Sequence, residues 1–292
     1  MPKRTAVRTT RRQSTPRRFS STKQTNAHPV QRRIATFLLM LVALIGIGIA
    51  GANKTAMNAS FTTKTLTTGD NLNTIVTQVQ KNVGSELTNI PGTSTLVSRA
   101  VSQSTAKALV TTAVQDVYTN TTNSIDFTAM DAAVKSALSS SSTGLSSTIS
   151  SAIATAILPT LHTYFNNELA SVTSNARVQY QKAASIIKQF TVPLVVIAAI
   201  LAIWLLLAGG FGRLLHDLGW ASLLAGLLGL ATLQLGQKLP QIDKLTAKAG
   251  DFQLVAADYL AQVVNHMSGY YIIAAAVGLV VTLISIPLIR RK

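Results

Sequence analysis

The sequence predicts an all-α integral membrane protein: four transmembrane helices, with an extracytoplasmic helical bundle between the first and second spans. Three observations lead there. The 292-residue chain is 48% hydrophobic and only 12% charged, whereas soluble domains carry about 25% charged residues. Four stretches approach the roughly 20 apolar residues that a spanning helix needs. Between the first two of them lies a long insert, rich in Ser and Thr yet spaced like amphipathic helices.

Residues 1–33 form the first element. They hold ten of the 26 Lys and Arg residues and no acid. The other 16 basic residues face ten acidic ones, so the rest of the chain is only mildly basic. Phe19 is the one large apolar side chain of known core-forming type in the tail's interior, and no core can form around it. A disordered basic cytoplasmic tail is predicted. Its mechanism would be electrostatic. Arg11, Arg12, Arg17, Arg18, Arg32 and Arg33 are the candidate contacts to anionic lipids at the inner leaflet, each contributing about 1 kcal/mol. Nucleic-acid phosphates would ask for the same charges. The tail lacks interleaved aromatics and a fold, so specific nucleic-acid binding is not expected. A protein partner and a plain topology signal are the other readings.

The first span is 34–52. The arginine pair before it and the Ala50-x-Ala52 tripeptide at its end also suit a cleaved secretory signal. A signal's apolar region runs to about 7–15 residues behind a short lead. This run is longer and follows a 33-residue lead, which favours a retained helix. Cleavage after Ala52 stays open as the alternative.

The insert, 53–190, comes next. From Gly51 to Phe190 there are 43 Ser and Thr residues, a composition that suits a disordered stalk. Periodicity argues otherwise. Asp70 can cap a helix carrying Leu72, Ile75, Val76, Val79, Val83 and Leu87 on one stripe, ended by Pro91-Gly92. A second helix is predicted over 94–118, with Val97, Val101, Ala108 and Val114 or Val117 inward. A third starts near Asp126 and carries Phe127, Met130, Val134 and Leu138. "TNTTNS" at 119–124 and "SSSSTG" at 139–144 are the joints. A fourth covers 145–158 and ends at Pro159. A fifth starts near Thr160, with Leu161, Phe165, Leu169, Val172, Ala176, Ala183 and Ile187 on one side, and runs on into the membrane.

The second span is 191–210, followed by a cytoplasmic turn at 211–217 and a third span at 218–236. An amphipathic outer segment, 237–269, places Phe252, Val255, Tyr259, Val263 and Met267 on one face behind an Asp251 cap. The main bundle is its expected cover. The fourth span is 270–289, and 290–292 is a basic end. No span contains Asp, Glu, Lys, Arg or His.

Orientation follows from basic residues gathering on the cytoplasmic side. The tail, the turn with Arg213 and His216, and the Arg290-Arg291-Lys292 end all fall on one side. Both termini are therefore expected in the cytoplasm. Trp204 and Trp220 then sit near the inner interface, and Phe190, Tyr270 and Tyr271 near the outer one. Small residues at spacing four, Ala221, Ala225 and Gly229 with Ala274 and Gly278, suit close helix approach. They could serve a homodimer or packing within the chain, and four spans in one chain favour the second.

The chemistry that is missing narrows the function. There is no cysteine. His28, His162, His216 and His266 are scattered, without metal-ligand spacing. Asp126 and Asp131 are five apart and off a common helical face. No nucleophile or phosphate-loop motif appears. Neither an enzyme nor a metal or other cofactor is expected. Spans without ionisable groups argue against transport. The expected function is a non-enzymatic bacterial envelope protein that senses, scaffolds or binds a partner outside the cell. A transporter or channel accessory subunit, and an exported surface protein with a cleaved signal, are the alternatives.

Two segments, "VYTNTTNSIDFTAMDAAVKSAL" at 117–138 and "RLLHDLGWASLLAGLLGL" at 213–230, prompt a comparison. With its order of basic tail, span, helical insert and three further spans, the chain resembles uncharacterised four-pass membrane proteins of Gram-positive bacteria. The resemblance implies a bacterial plasma membrane and no activity.

Overall fold

The computed structural model describes residues 29–86, 93–119, 127–140, 147–238 and 240–290. The described residues form α-helices and one short 3-10 turn, with no strand among them. The helices are α1 (Pro29–Lys54), α2 (Ala59–Leu66), α3 (Gly69–Glu86), α4 (Thr93–Ala100), α5 (Gln103–Tyr118), α6 (Thr128–Ser140), α7 (Ser147–Gly209), α8 (Phe211–Gln237), α9 (Pro240–Ala247) and α10 (Gln253–Arg290). Four of them hold segments long and apolar enough to cross a membrane: Val30–Lys54, Thr173–Gly209, Phe211–Gln237 and Gly250–Ile289. The chain is a multi-pass membrane protein by this measure.

Among the described residues, two hydrophobic cores organise the molecule. One joins α1, α7 and α8 through Ala35, Leu39, Met40, Leu205, Leu214, Ala221 and Ala225. The other joins α3 to α6 with the first part of α7, through residues such as Val83, Val101, Met130, Val134, Leu161 and Phe165. The predicted stripes of the insert account for most of this second core. Val255 of α10 is buried in it and Phe252 packs against it, while Met267 of the same stripe lies beside Gly51 of α1.

Several elements depart from expectation, each for a local reason. The helix expected over 94–118 is two, α4 and α5. Ser102 takes an extended backbone between them, and its hydroxyl accepts from the Thr105 N–H. A Ser at an N-cap satisfies an otherwise orphaned donor, while Val101 stays fully buried. Asp70 lies inside the first turn of α3 rather than at its cap. There its charge still faces the positive end of the helix dipole.

Pro159 does not end a helix. α7 runs through both Pro159 and Pro193 for 63 residues, about 95 Å at 1.5 Å per residue. A mid-helix proline costs about 3 kcal/mol. Ala154, Ile157, Leu158, Leu161, Tyr164 and Phe165 on either side of Pro159 are all buried. Each large apolar side chain among them contributes about 1.5–3 kcal/mol, so packing outweighs the lost bond. The expected turn at 211–217 is helical as well. The break is Gly210 alone, at φ 73°, a conformation that glycine adopts without strain. At the other end, Gly250–Phe252 is the 3-10 turn, and α10 joins the outer segment to the fourth span without interruption. Leu87, Pro91-Gly92, residues 120–124 of the first joint, Asp126 and residues 141–144 of the second joint lie outside the described residues, as do the side chains of Leu169 and Val172.

Candidate functional site

The insert core is closed by polar links as well as apolar ones. Tyr118, at the end of α5, donates to the Ala56 carbonyl at 2.5 Å. Its hydroxyl lies 2.8 Å from that of Thr62, which lies 3.1 Å from that of Tyr259 on α10. Each hydroxyl has one proton. With Tyr118 committed to Ala56, Thr62 donates to Tyr118 and Tyr259 donates to Thr62. Burial pushes the Tyr118 phenol above its ordinary pKa; the Thr62 hydrogen bond opposes this and loses. The Tyr118 ring also lies 4.6 Å from Tyr180 of α7. Beside it, Arg177 is ion-paired with Asp116 and donates to the Asp116 carbonyl at 3.1 Å. Asn71 donates to Asp258 at 2.6 Å, and Asn82 to Tyr164 and Asp251. These bonds tie α2, α3, α5 and α7 to the start of α10.

A cavity of about 650 Å³ lies within this assembly, between α3, α5, α7 and the 248–252 segment. Ile75, Val79, Leu109, Val114 and Phe165 form its apolar wall, and Asn82, Lys248 and Asp251 stand among its lining. That size and lining fall in the range of small-molecule sites. His162 bonds to Asp131 at 2.7 Å and stacks on Phe127. Among the described residues no three His, Asp or Glu side chains gather as metal ligands.

Within the span bundle, α8 and α10 share the most extensive contact. Gly219, Ser222, Gly226 and Gly229 of α8 form its seam. A methyl at Gly226 would stand 2.6 Å from the Tyr271 carbonyl and 2.7 Å from the Ala275 side chain. Gly229 lies under the Tyr271 ring, and Gly278 lies against Leu223 and Gly219. Ser222 donates to the Ala274 carbonyl at 2.8 Å. Ala221 and Ala225 are buried on another face, toward α1 and α7. The predicted small-residue row is thus shared between two interfaces: Ala221 and Ala225 pack in the core with α1 and α7, and Gly229 meets α10. Gly219 was missed because the sequence shows spacing four, whereas the seam alternates three and four.

The end of the bundle away from the insert is basic. Arg32 of α1 donates to Asp217 of α8 at 2.7 Å and to the Arg213 carbonyl at 3.3 Å. Asp217 is only 8% exposed. His216 bonds to Ser285 at 3.0 Å, and Ser285 donates to the Thr282 carbonyl. Gly212 packs on the backbone of Leu288. The starts of α1 and α8 and the ends of α7 and α10 therefore share one end. A groove of about 1010 Å³ opens there between α1, α7 and α8. Arg32 and Arg33 both line it. Arg11, Arg12, Arg17 and Arg18 lie outside the described residues.

No family model, curated protein or solved structure matches the chain.

Proposed function

We propose that the protein is a non-enzymatic bacterial plasma-membrane protein that senses or binds a partner through its helical insert, held outside the cell, with both termini in the cytoplasm. The observation that carries this reading is the closure of the insert core by α10. Val255 and Tyr259 belong to the same continuous helix as the last span. A change in the insert core is therefore passed to a membrane helix without crossing a loop. The cavity beside Asp251 gives the insert a place to take up a ligand. Basic residues at the other end of the bundle suit the cytoplasmic side.

Two experiments test this. The chain has no cysteine, so single-cysteine variants carry no background. In intact cells, a membrane-impermeant maleimide labels Gln103→Cys and Lys248→Cys, while Arg33→Cys is labelled only after lysis. The reverse pattern overturns the orientation. Liposomes holding only this protein show no ion or solute flux. Flux well above protein-free liposomes assigns a transport function instead.

A further inference from the structure

The groove at the basic end has two facing stripes. On α1, Arg33, Phe37 and Met40 follow at spacings of four and three. On α8, Arg213, Trp220 and Leu224 follow at seven and four. All six line the groove, and residues so spaced share one helix face. Both stripes are graded in the same sense: guanidinium, then aromatic ring, then aliphatic chain. From Arg213 to Leu224 the rise is about 16 Å. Arg32 is satisfied by Asp217. Arg33 and Arg213 enter no ion pair among the described residues. Phe37 and Trp220 are exposed at 56% and 42%.

A glycerophospholipid has this same gradation. Its phosphate stands at the headgroup level, its ester region at the level where aromatic side chains sit, and its acyl chain below. We infer that the groove between α1, α7 and α8 binds one anionic glycerophospholipid. Arg33 and Arg213 hold its phosphate, Trp220 and Phe37 flank the glycerol region, and one acyl chain lies against Met40 and Leu224. Charge selects the headgroup: two guanidiniums with no carboxylate partner suit an anionic lipid over a zwitterionic one. Groove walls that are apolar below the charges set this site apart from the tail's diffuse attraction to the surface. The inference rests on the membrane reading above and not on the sensing role of the insert.

The test uses the full chain in lipid nanodiscs. Trp204→Phe leaves Trp220 as the sole indole, since the chain has two. Brominated phosphatidylglycerol and brominated phosphatidylcholine are compared as quenchers at equal mole fraction. The expected result is a preference for phosphatidylglycerol of about thirtyfold, from two arginines contributing about 1 kcal/mol each at the membrane surface. Arg33→Gln with Arg213→Gln removes the preference. Ala208→Leu narrows the groove with the charges intact, and it lowers quenching by both lipids. The four-fold tail variant Arg11→Gln, Arg12→Gln, Arg17→Gln, Arg18→Gln keeps the preference. Equal quenching by the two lipids overturns the site, as does a preference that follows the tail variant rather than the groove variant. Unchanged quenching in Ala208→Leu also overturns it. If millimolar inorganic phosphate abolishes the preference, the occupant is a free anion and the lipid assignment fails. Absence of quenching by either lipid overturns the membrane reading itself, a result distinct from loss of selectivity.

Discussion

Two contacts tie together parts of the chain that the sequence keeps far apart. Arg32 and Asp217 stand 185 positions apart and share one ion pair. Removing one partner of a buried pair leaves an uncompensated charge, a loss of about 3–5 kcal/mol when burial is complete. Arg32 retains 25% of its side-chain exposure, so solvent screening reduces that figure. Arg32→Gln is expected to cost about 1–2 kcal/mol, and Arg32→Gln with Asp217→Asn to recover most of it, as read by thermal unfolding in detergent. Tyr118 makes the second such contact. Tyr118→Phe removes a donor to the Ala56 carbonyl and costs about 1 kcal/mol near neutral pH. Its pH dependence has a definite sign. The folded-state pKa lies above the ordinary value of about 10, chiefly because of burial. Below that value both states keep the proton and the contribution is whole. As pH climbs beyond it, the unfolded chain ionises first and stability is lost. The Phe variant lacks that part of the alkaline fall, so the wild type and variant curves converge as pH rises. Neither contact could be read from sequence. Asp217 looked like a turn residue, and the Tyr118 network depends on three segments meeting.

Among the elements, the seam between α8 and α10 makes the clearest prediction. Gly226→Ala places a methyl 2.6 Å from backbone, which must move apart. Overpacking of this kind costs about 1–3 kcal/mol. Gly236, on the same helix, has nothing within 4 Å of an added Cβ. Gly236→Ala should be neutral or stabilise by up to about 1 kcal/mol. A similar loss in both variants would mean that the seam is not formed as described. Apolar stripes were legible because a 3.6-residue period shows in the letters themselves, and Leu72, Val79, Val97, Val134 and Leu161 are all buried. Breaks were less legible. A proline or a serine has the same local preference everywhere, and its surroundings decide the outcome: Pro159 is overridden by packing, and Ser102 is not.

At the scale of the whole molecule, the insert is not a closed unit of sequence. The 3-10 turn at Gly250–Phe252 and the first residues of α10, as far as Tyr259, complete its core. Val255→Asp is expected to expose the insert to limited proteolysis between α3 and α6 while leaving α8 and α10 protected. Protection of both regions in that variant would show that the insert core stands without α10. Four spans were legible because length and apolar content suffice to find them. The cavity and the basic groove were not, because each is made where three or more helices converge, and no single stretch carries that convergence.

Helix α7 has a further consequence. Thr173 and Ala176 line the insert cavity, and Ala208 lines the basic groove. One unbroken helix therefore fixes the angle between the two chambers as well as their separation. One residue added to its exposed stretch between Gln181 and Lys188 would turn one chamber against the other by about 100° and lengthen the rod by about 1.5 Å. Helix α10, which makes the same journey, would keep its old phase. The two helices act like two threads cut to one pitch: a residue gained in either puts them out of step, so the chain tolerates length changes in its loops but not along these two rods.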